Sequence, residues 1–302
     1  MSIGTDASPS PSLALRGAWT VPRGQFMAGL YLVGLINGLA PDVGAAITKY
    51  GVAMAAANLF GVTVIELLAS ALALRLALRG GAAAPSRADL GMGALFLVLM
   101  AAPSPQVSWM AIGLLASFDV LRNRAADWSR AAATVMLALS VHEVWGRVAV
   151  NLLAMPLTNL EAAAVAFTLG LLRDGVALNG NLVDTPDGFG LVIVAGCLSM
   201  HYITAGLVCW VAITQAARPV WKARDLATAV LVVLAMFALN HARLVGMGFG
   251  PDAYHALHSD LGAQILGLVT LAAAALIAMR GVRDETANET ANETANETGG
   301  AR

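Results

Sequence analysis

Long apolar segments dominate the chain from residue 26 to residue 280, and short charged or Pro/Gly breaks separate them. A helix that crosses the hydrocarbon core of a bilayer needs about 20 predominantly apolar residues. Several segments are shorter than this, but together they predict an all-α polytopic membrane protein with about eight transmembrane helices. The candidate spans are residues 26–41, 51–74, 88–103, 106–121, 131–150, 189–214, 226–244 and 261–280.

Composition agrees with this pattern. The chain is 58% hydrophobic and 12% charged, with a mean hydropathy of +0.71, whereas soluble domains carry about 25% charged residues. A soluble enzyme, a nucleic-acid binder and a disulfide-stapled secreted domain are therefore excluded. The lipid bilayer is the first expected partner, and nucleic acid is not one.

Polar segments flank the apolar region at both ends. Residues 1–25 are expected to form an N-terminal tail, and residues 26–283 the multi-span membrane domain. Residues 284–302 contain an Asn-Glu-Thr-Ala repeat. Such a low-complexity polar sequence cannot bury a core, so it is predicted to be a disordered tail.

The distribution of basic residues predicts the orientation. With the N-terminus in the cytoplasm, only four of the 18 Lys and Arg fall on the outer side. This positive-inside bias places both termini in the cytoplasm. The scarcity of Lys beside Arg and Ala indicates a bacterial gene, hence the inner cell membrane. The four outer residues are Lys49, Arg147, Arg173 and Arg243.

The segment 151–188 is then outside, although residues 157–172 are apolar enough to cross. If they crossed, the later helices would invert, and Arg218, Lys222 and Arg224 would face outward against the positive-inside bias. Residues 157–172 are therefore predicted to form an interfacial or re-entrant helix on the outer face.

Chemically capable side chains collect at this outer face. Asn179-Gly180, between small apolar runs, predicts a short hairpin leading into the sixth span, whose outer half holds Cys197. Arg243 lies at the outer end of the seventh span and His258 at the outer start of the eighth. A thiol becomes a nucleophile when a nearby cation stabilises its thiolate, and a histidine can move the proton.

Each of these residues also has an ordinary structural interpretation. Cysteines in helices usually pack, arginines at helix ends reach headgroups, and loop histidines are solvated. Cys209 is expected to be a packing residue. It lies twelve residues after Cys197 in one apolar segment, which in a helix is about 18 Å, so the two cannot form a disulfide there.

Short motifs follow one another between residues 145 and 262. They are Met155-Pro156-Leu157 ahead of Leu171-Leu172, Asp174-Gly175-Val176 with Asn179-Gly180-Asn181-Leu182, Ala195-Gly196-Cys197, Asn240-His241-Ala242-Arg243, and Tyr254-His255-Ala256-Leu257-His258 with Gly262. In this order they resemble the motifs of the exosortase/archaeosortase family, membrane cysteine transpeptidases of bacteria and archaea. The ordered set of Cys, Asn-x-x-Arg and His is the specific part of the resemblance.

The resemblance implies a mechanism and a substrate. Cys197 would attack the scissile carbonyl on the periplasmic side, Arg243 would stabilise the oxyanion or thiolate, and His258 would shuttle the proton. Asn240 would orient Arg243 or bind substrate backbone. The substrate would be a membrane-anchored secreted protein with a C-terminal sorting tail, transferred through a thioester to an acceptor.

The chain departs from the family pattern in one place. The family follows its nucleophile with Ser-Gly, whereas here Cys197 is followed by leucine and Ser199, which indicates a divergent member. His255 shares a helix face with His258 and is the alternative match to the family's histidine. His201, one turn after Cys197, is a rival general base.

Other polar residues lie inside the predicted spans. Glu66, mid-way along the second span, is either functional or an interhelical contact. Glu143 and Arg147, next to His142, have the spacing of a structural ion pair, and His241 is expected at a lipid edge or in packing. Neither the cysteines nor the histidines show metal-ligand spacing, so no metal and no organic cofactor is predicted.

Two other functions remain open from the sequence. In a small-solute transporter, Glu66, His142 and Arg243 would line a path, but the internal repeats typical of transporters are not evident. The third possible function is that of a non-catalytic membrane assembly protein. The sorting motif, the acceptor and the oligomeric state have no signal in the sequence.

Overall fold

The computed structural model describes residues 21–122 and 127–299, except for the side chains of Trp145, Arg147, Ala149, Asp260 and residues 284–299. This part of the chain is mostly helical, as an all-α membrane protein requires. The helices are α1 (Arg23–Ala57), α2 (Val64–Arg79), α3 (Arg87–Met100), α4 (Pro105–Arg122), α5 (Trp128–Ser140), α6 (Arg147–Leu152), α7 (Ala154–Leu172), α8 (Ser199–Ala217), α9 (Ala223–Met247), α10 (Pro251–His258) and α11 (Asp260–Gly299).

Five helices in the described part are long and apolar enough to cross a membrane. Residues 157–172, predicted to lie at the outer interface, belong to one of them. The count of eight spans therefore stays a prediction. The five are Arg23–Ala57, Ala154–Leu172, Ser199–Ala217, Ala223–Met247 and Leu261–Arg283.

The boundaries of the first two predicted spans were wrong. Helix α1 continues to Ala57, with a break in its helical path at Gly51 (φ +73°), and α2 begins only at Val64. The start of α2 is a capping box: the Thr63 N–H donates to the Glu66 carboxylate (2.8 Å), and the Glu66 N–H donates to the Thr63 hydroxyl (3.2 Å). Glu66 thus lies in the first turn of a helix and not mid-way along a span.

A small antiparallel sheet follows α7, in the order β1 (Ala177–Asn179), β2 (Leu182–Asp184) and β3 (Gly190–Val192). The predicted hairpin forms, but its two-residue turn is Gly180-Asn181, one residue later than the predicted Asn179-Gly180, because Asn179 still pairs with Leu182. Gly180 in this turn has φ +62°, a conformation that glycine adopts without strain.

The start of the predicted sixth span was also wrong. Its first residues form β3 and a 3₁₀ turn over Ala195–Cys197, and the helix begins at Ser199. We call Ala195–Cys197 the nucleophile turn, after the role predicted for Cys197. Cys197 therefore lies just before α8, and only Cys209 lies within the helix.

Two apolar clusters hold these elements together. In the larger one, α5 packs against α2, α4 and α8, while α8 packs against α9 and α11. The smaller one joins α7, the sheet, the nucleophile turn and the end of α9 through Leu169, Ile193, Cys197 and Leu244. The smaller cluster thus fixes the position of the nucleophile turn.

A buried ion cluster ties four helices together near the start of α1. The Arg23 guanidinium donates to Asp89 of α3 (3.0 Å), to Asp119 of α4 (2.5 Å) and to the Ser129 hydroxyl of α5 (3.0 Å). The sequence placed Arg23 in the N-terminal tail as an inner basic residue. In the structure it is a buried part of the helix packing.

The two ends of the chain are only partly described. Residues 1–20 and 300–302 lie outside the described residues. They make up most of the predicted N-terminal tail and the last three residues of the predicted C-terminal tail. The backbone of α11 is helical through the polar repeat to Gly299, where the sequence predicted disorder.

Candidate functional site

Cys197 ends the nucleophile turn between β3 and α8. Its side chain packs in the smaller apolar cluster with Leu169, Ile193 and Leu244, and the residue is only 8% exposed. In the described part of the chain its thiol makes no hydrogen bond to Arg243 or His258. Chemistry at this thiol therefore requires local opening.

Asn240 connects the nucleophile turn to α9. Its side-chain amide donates to the Cys197 carbonyl (2.8 Å) and to the Ser199 hydroxyl (3.0 Å), and the residue is completely buried. Its Oδ1 atom is buried without a hydrogen-bond partner among the described residues. Asn240 thus holds the Asn-x-x-Arg segment against the turn that carries Cys197.

Glu161 was not identified from the sequence. Its carboxylate accepts a hydrogen bond from the Ser199 N–H (2.6 Å), so it satisfies a free donor at the first turn of α8. The available signal was that Glu161 is the only charged residue in the apolar segment 157–172. It links α7 to the start of the helix that follows Cys197.

Arg243 lies one turn after Asn240 on α9 and is half-buried. Its guanidinium donates to the Leu257 carbonyl (3.2 Å) and contacts the Tyr202 hydroxyl (3.3 Å). It therefore connects α9 both to the first turn of α8 and to the end of α10. The Leu257 carbonyl belongs to the residue just before His258, so Arg243 and the predicted histidine lie in adjacent elements.

Both predicted histidines of α10 are exposed. The His258 ring stacks on Tyr254 with centroids 4.9 Å apart, and the His255 ring meets the same tyrosine edge-on at 5.7 Å. Tyr254 also contacts Phe189, just before β3. The choice between His255 and His258 stays a prediction.

A cavity of about 320 Å³ lies beside the nucleophile turn. Its lining includes Ala195 and Gly196, the two residues that precede Cys197, but neither Cys197 nor Arg243. The lining residues are Glu66, His142, Glu143, Gly146, Val150, Ala195, Gly196, His201 and Thr204.

Three buried ionisable side chains meet at this cavity. His142 Nε2 lies 3.7 Å from Glu66 Oε1 and 3.8 Å from Glu143 Oε1, and one ligand atom from each residue lies within 4.8 Å of the others. The transporter alternative placed Glu66 and His142 on one path, but the sequence did not indicate that Glu143 joins them, because Glu66 is on α2 while the other two are in the segment after α5. That segment, Val141–Gly146, is a π-helix, so its side chains point in directions that the spacing of an α-helix does not predict.

The expected ion pair between Glu143 and Arg147 stays a prediction, since the side chain of Arg147 lies outside the described residues. His241 is half-buried and pairs with the Thr168 hydroxyl of α7 (2.9 Å). This contact places His241 in packing between α7 and α9. Cys209 is buried in the larger apolar cluster, as predicted.

Aromatic side chains connect the cavity to Arg243. The His142 and His201 rings have centroids 5.6 Å apart, and His201 meets Tyr202 edge-on at 6.1 Å. The Tyr202 hydroxyl then contacts Arg243. His201, the rival general base, is exposed at the cavity, so it lies between the cluster and the arginine.

Comparison of the chain with protein-family models, with curated proteins and with solved structures finds no match in any of the three.

Proposed function

We propose that the protein is an exosortase-like cysteine transpeptidase or protease of the bacterial inner membrane. It would cleave the C-terminal sorting tail of a secreted protein and transfer the protein to an acceptor. The observation that carries the proposal is the double hydrogen bond of Asn240 to the Cys197 carbonyl and the Ser199 hydroxyl. It joins two motifs that lie 43 residues apart in the sequence.

The third motif is connected to the same region. Arg243, one turn further along α9, donates to the Leu257 carbonyl, next to His258. The Cys segment therefore contacts the Asn-x-x-Arg segment, which in turn contacts the His segment, and this supports a joint chemical role. The departure from the family's Cys-Ser-Gly leaves Ser199 hydrogen-bonded to Asn240 and capped by Glu161.

In the proposed reaction, the Cys197 thiolate attacks the scissile carbonyl on the outer side of the membrane. The tetrahedral intermediate carries a negative oxygen, which Arg243 would stabilise with its fixed positive charge. His258 donates a proton to the departing amine, and the tail is released. The resulting thioester is resolved by an acceptor nucleophile, whose proton His258 takes up.

In this proposal, substrate docking has to change two sets of contacts. Cys197 packs among apolar side chains, and Arg243 already donates to Leu257 and Tyr202. Because Arg243 donates to the Leu257 carbonyl of α10, movement of α10 would free the guanidinium for the substrate.

The proposal is tested by comparing the C-termini of exported proteins in cells that make the native protein, Cys197→Ala or Cys209→Ala. Cys209 is the matched control, since both cysteines are 8% exposed. We expect tails of apolar span plus basic residues to be absent with the native protein and Cys209→Ala, and retained with Cys197→Ala. Equal tail removal with Cys197→Ala would refute the proposal.

A small-solute transporter is the second candidate, and the cavity with Glu66, His142 and Glu143 is the observation that favours it. The same variants separate the two functions. A transporter would lose uptake on Glu66→Gln or His142→Asn and would be indifferent to Cys197→Ala. A transpeptidase would instead lose tail cleavage on Cys197→Ala.

A further inference from the structure

The cluster at the cavity has the donor atoms of a metal site. We propose that Glu66, His142 and Glu143 bind a divalent transition-metal cation, with zinc as the best match. The three residues are each at least nine-tenths buried and come from two separate segments of the chain. The site uses none of the residues of the proposed cysteine mechanism, so the two proposals can fail independently.

The position of His142 directs one ring nitrogen, Nε2, toward the two carboxylates. The Thr204 hydroxyl has one hydrogen, and its donor contacts are the backbone carbonyls of Met200 and His201, both at 3.1 Å. When it donates to one of these carbonyls, it accepts from His142 Nδ1–H, which lies 2.8 Å away. In that tautomer the remaining nitrogen, Nε2, presents a lone pair to Glu66 and Glu143, an arrangement that a metal cation among the three side chains would satisfy.

The separations fit coordination better than direct pairing. The distances of 3.7 and 3.8 Å from Nε2 to the two carboxylates exceed the about 2.7–2.9 Å of a charge-assisted hydrogen bond. Zinc bonds of about 2.0–2.2 Å in a tetrahedron place neighbouring ligand atoms about 3.3–3.6 Å apart. A shift of a few tenths of an ångström at each side chain would close the site around zinc.

Glu66 is oriented by a second contact as well. Its Oε2 atom accepts from the Thr63 N–H in the capping box, which leaves Oε1 directed at His142. Such outer contacts hold ligands in place and are the usual companions of metal sites. The capping box therefore fixes the ligand as well as the start of α2.

The donor set selects the class of metal. An imidazole with carboxylates suits zinc, manganese or iron, whereas calcium and magnesium prefer all-oxygen sites and copper(I) prefers sulfur. A dication would compensate the charge of two ionised carboxylates in one buried site. The cavity leaves room for water in the remaining positions, and His201 lines it as a further imidazole.

The test uses the full-length protein in detergent, stripped with a chelator and then titrated with zinc, with metal content measured by mass spectrometry. We expect one zinc per chain, with at least tenfold weaker binding in Glu66→Gln, His142→Asn and Glu143→Gln. Thr204→Val removes only the Nδ1 partner and should weaken binding about 10–100-fold. Matched controls are Glu161→Gln and His241→Asn, a carboxylate and an imidazole outside the cluster, which should bind zinc like the native protein.

Two measurements on the native protein need no variant. Zinc should raise the unfolding temperature of the stripped protein, because it binds the folded site and not the unfolded chain. Magnesium at the same concentration should give no shift. The proposal is overturned if zinc has no effect on the stripped protein, if magnesium acts equally, or if Glu66→Gln retains native affinity.

Discussion

Replacement of Asn240 by alanine is the sharpest probe of the contact that carries the proposed function. The change removes both hydrogen bonds from the α9 side chain to the nucleophile turn, those to the Cys197 carbonyl and to the Ser199 hydroxyl. In a Cys209→Ala background, Cys197 is the only thiol of the chain. The modification rate of Cys197 then reports local opening at this turn.

The magnitude follows from the burial of the contact. Leaving a buried donor or acceptor without its partner costs about 1–3 kcal/mol, so the loss of two bonds costs about 2–6 kcal/mol. Since each 1.4 kcal/mol is a factor of ten, the smaller figure corresponds to roughly a 30-fold larger open population. If the turn opens and closes faster than the reagent reacts, the labelling rate rises by the same factor.

The assay is the rate of modification by a small thiol reagent in detergent, below the unfolding temperature. Asn37→Ala is the matched control, because Asn37 also donates two hydrogen bonds, to the Met100 carbonyl (3.2 Å) and the Ser108 hydroxyl (2.8 Å). It should destabilise the protein without accelerating labelling of Cys197. A rate for Asn240→Ala within twofold of the background, or an equal increase with Asn37→Ala, would refute the reasoning.

Two further predictions concern the start of α1. Arg23→Leu leaves the Asp89 and Asp119 carboxylates buried without their guanidinium partner, so it should destabilise the protein by about 3–5 kcal/mol. Unfolding in denaturant measures this loss, and an unchanged unfolding midpoint would contradict the prediction. Gly24→Ala would place its Cβ 2.0 Å from a backbone carbonyl oxygen of the loop after α2, whereas the Cβ of Gly29→Ala on the same helix meets nothing within 4 Å. Only Gly24→Ala should therefore lower the unfolding temperature. Equal unfolding temperatures for the two variants would show that the loop moves away from the added Cβ, against the prediction.

Local sequence signals predicted part of the fold well. The apolar runs predicted a helical membrane protein, and Asn179-Gly180 predicted the hairpin, because both are properties of short stretches of chain. The start of α2 could also have been predicted, since Thr63 and Glu66 have the spacing of a capping box. Hydropathy alone placed this boundary wrongly because apolar residues continue through the break.

The candidate site depended on information that the sequence does not contain locally. The cluster of Glu66, His142 and Glu143 requires two distant segments to pack together and a π-helical turn to set the facing of the last two residues. The burial of Cys197 likewise comes from α7 and α9, which no pattern around the cysteine reveals. The order of the motifs along the chain nevertheless predicted which segments carry the residues of the proposed site.

The most direct test of the central claim is detection of an acyl thioester on Cys197. The full-length protein would be isolated rapidly at low pH from cells that make its natural substrates, then analysed by peptide mass spectrometry with and without neutral hydroxylamine. The account predicts a hydroxylamine-sensitive peptide adduct on Cys197, none on Cys209, and loss of the adduct in Cys197→Ala. Tail cleavage without any adduct on Cys197, or an adduct on Cys209 instead, would contradict it.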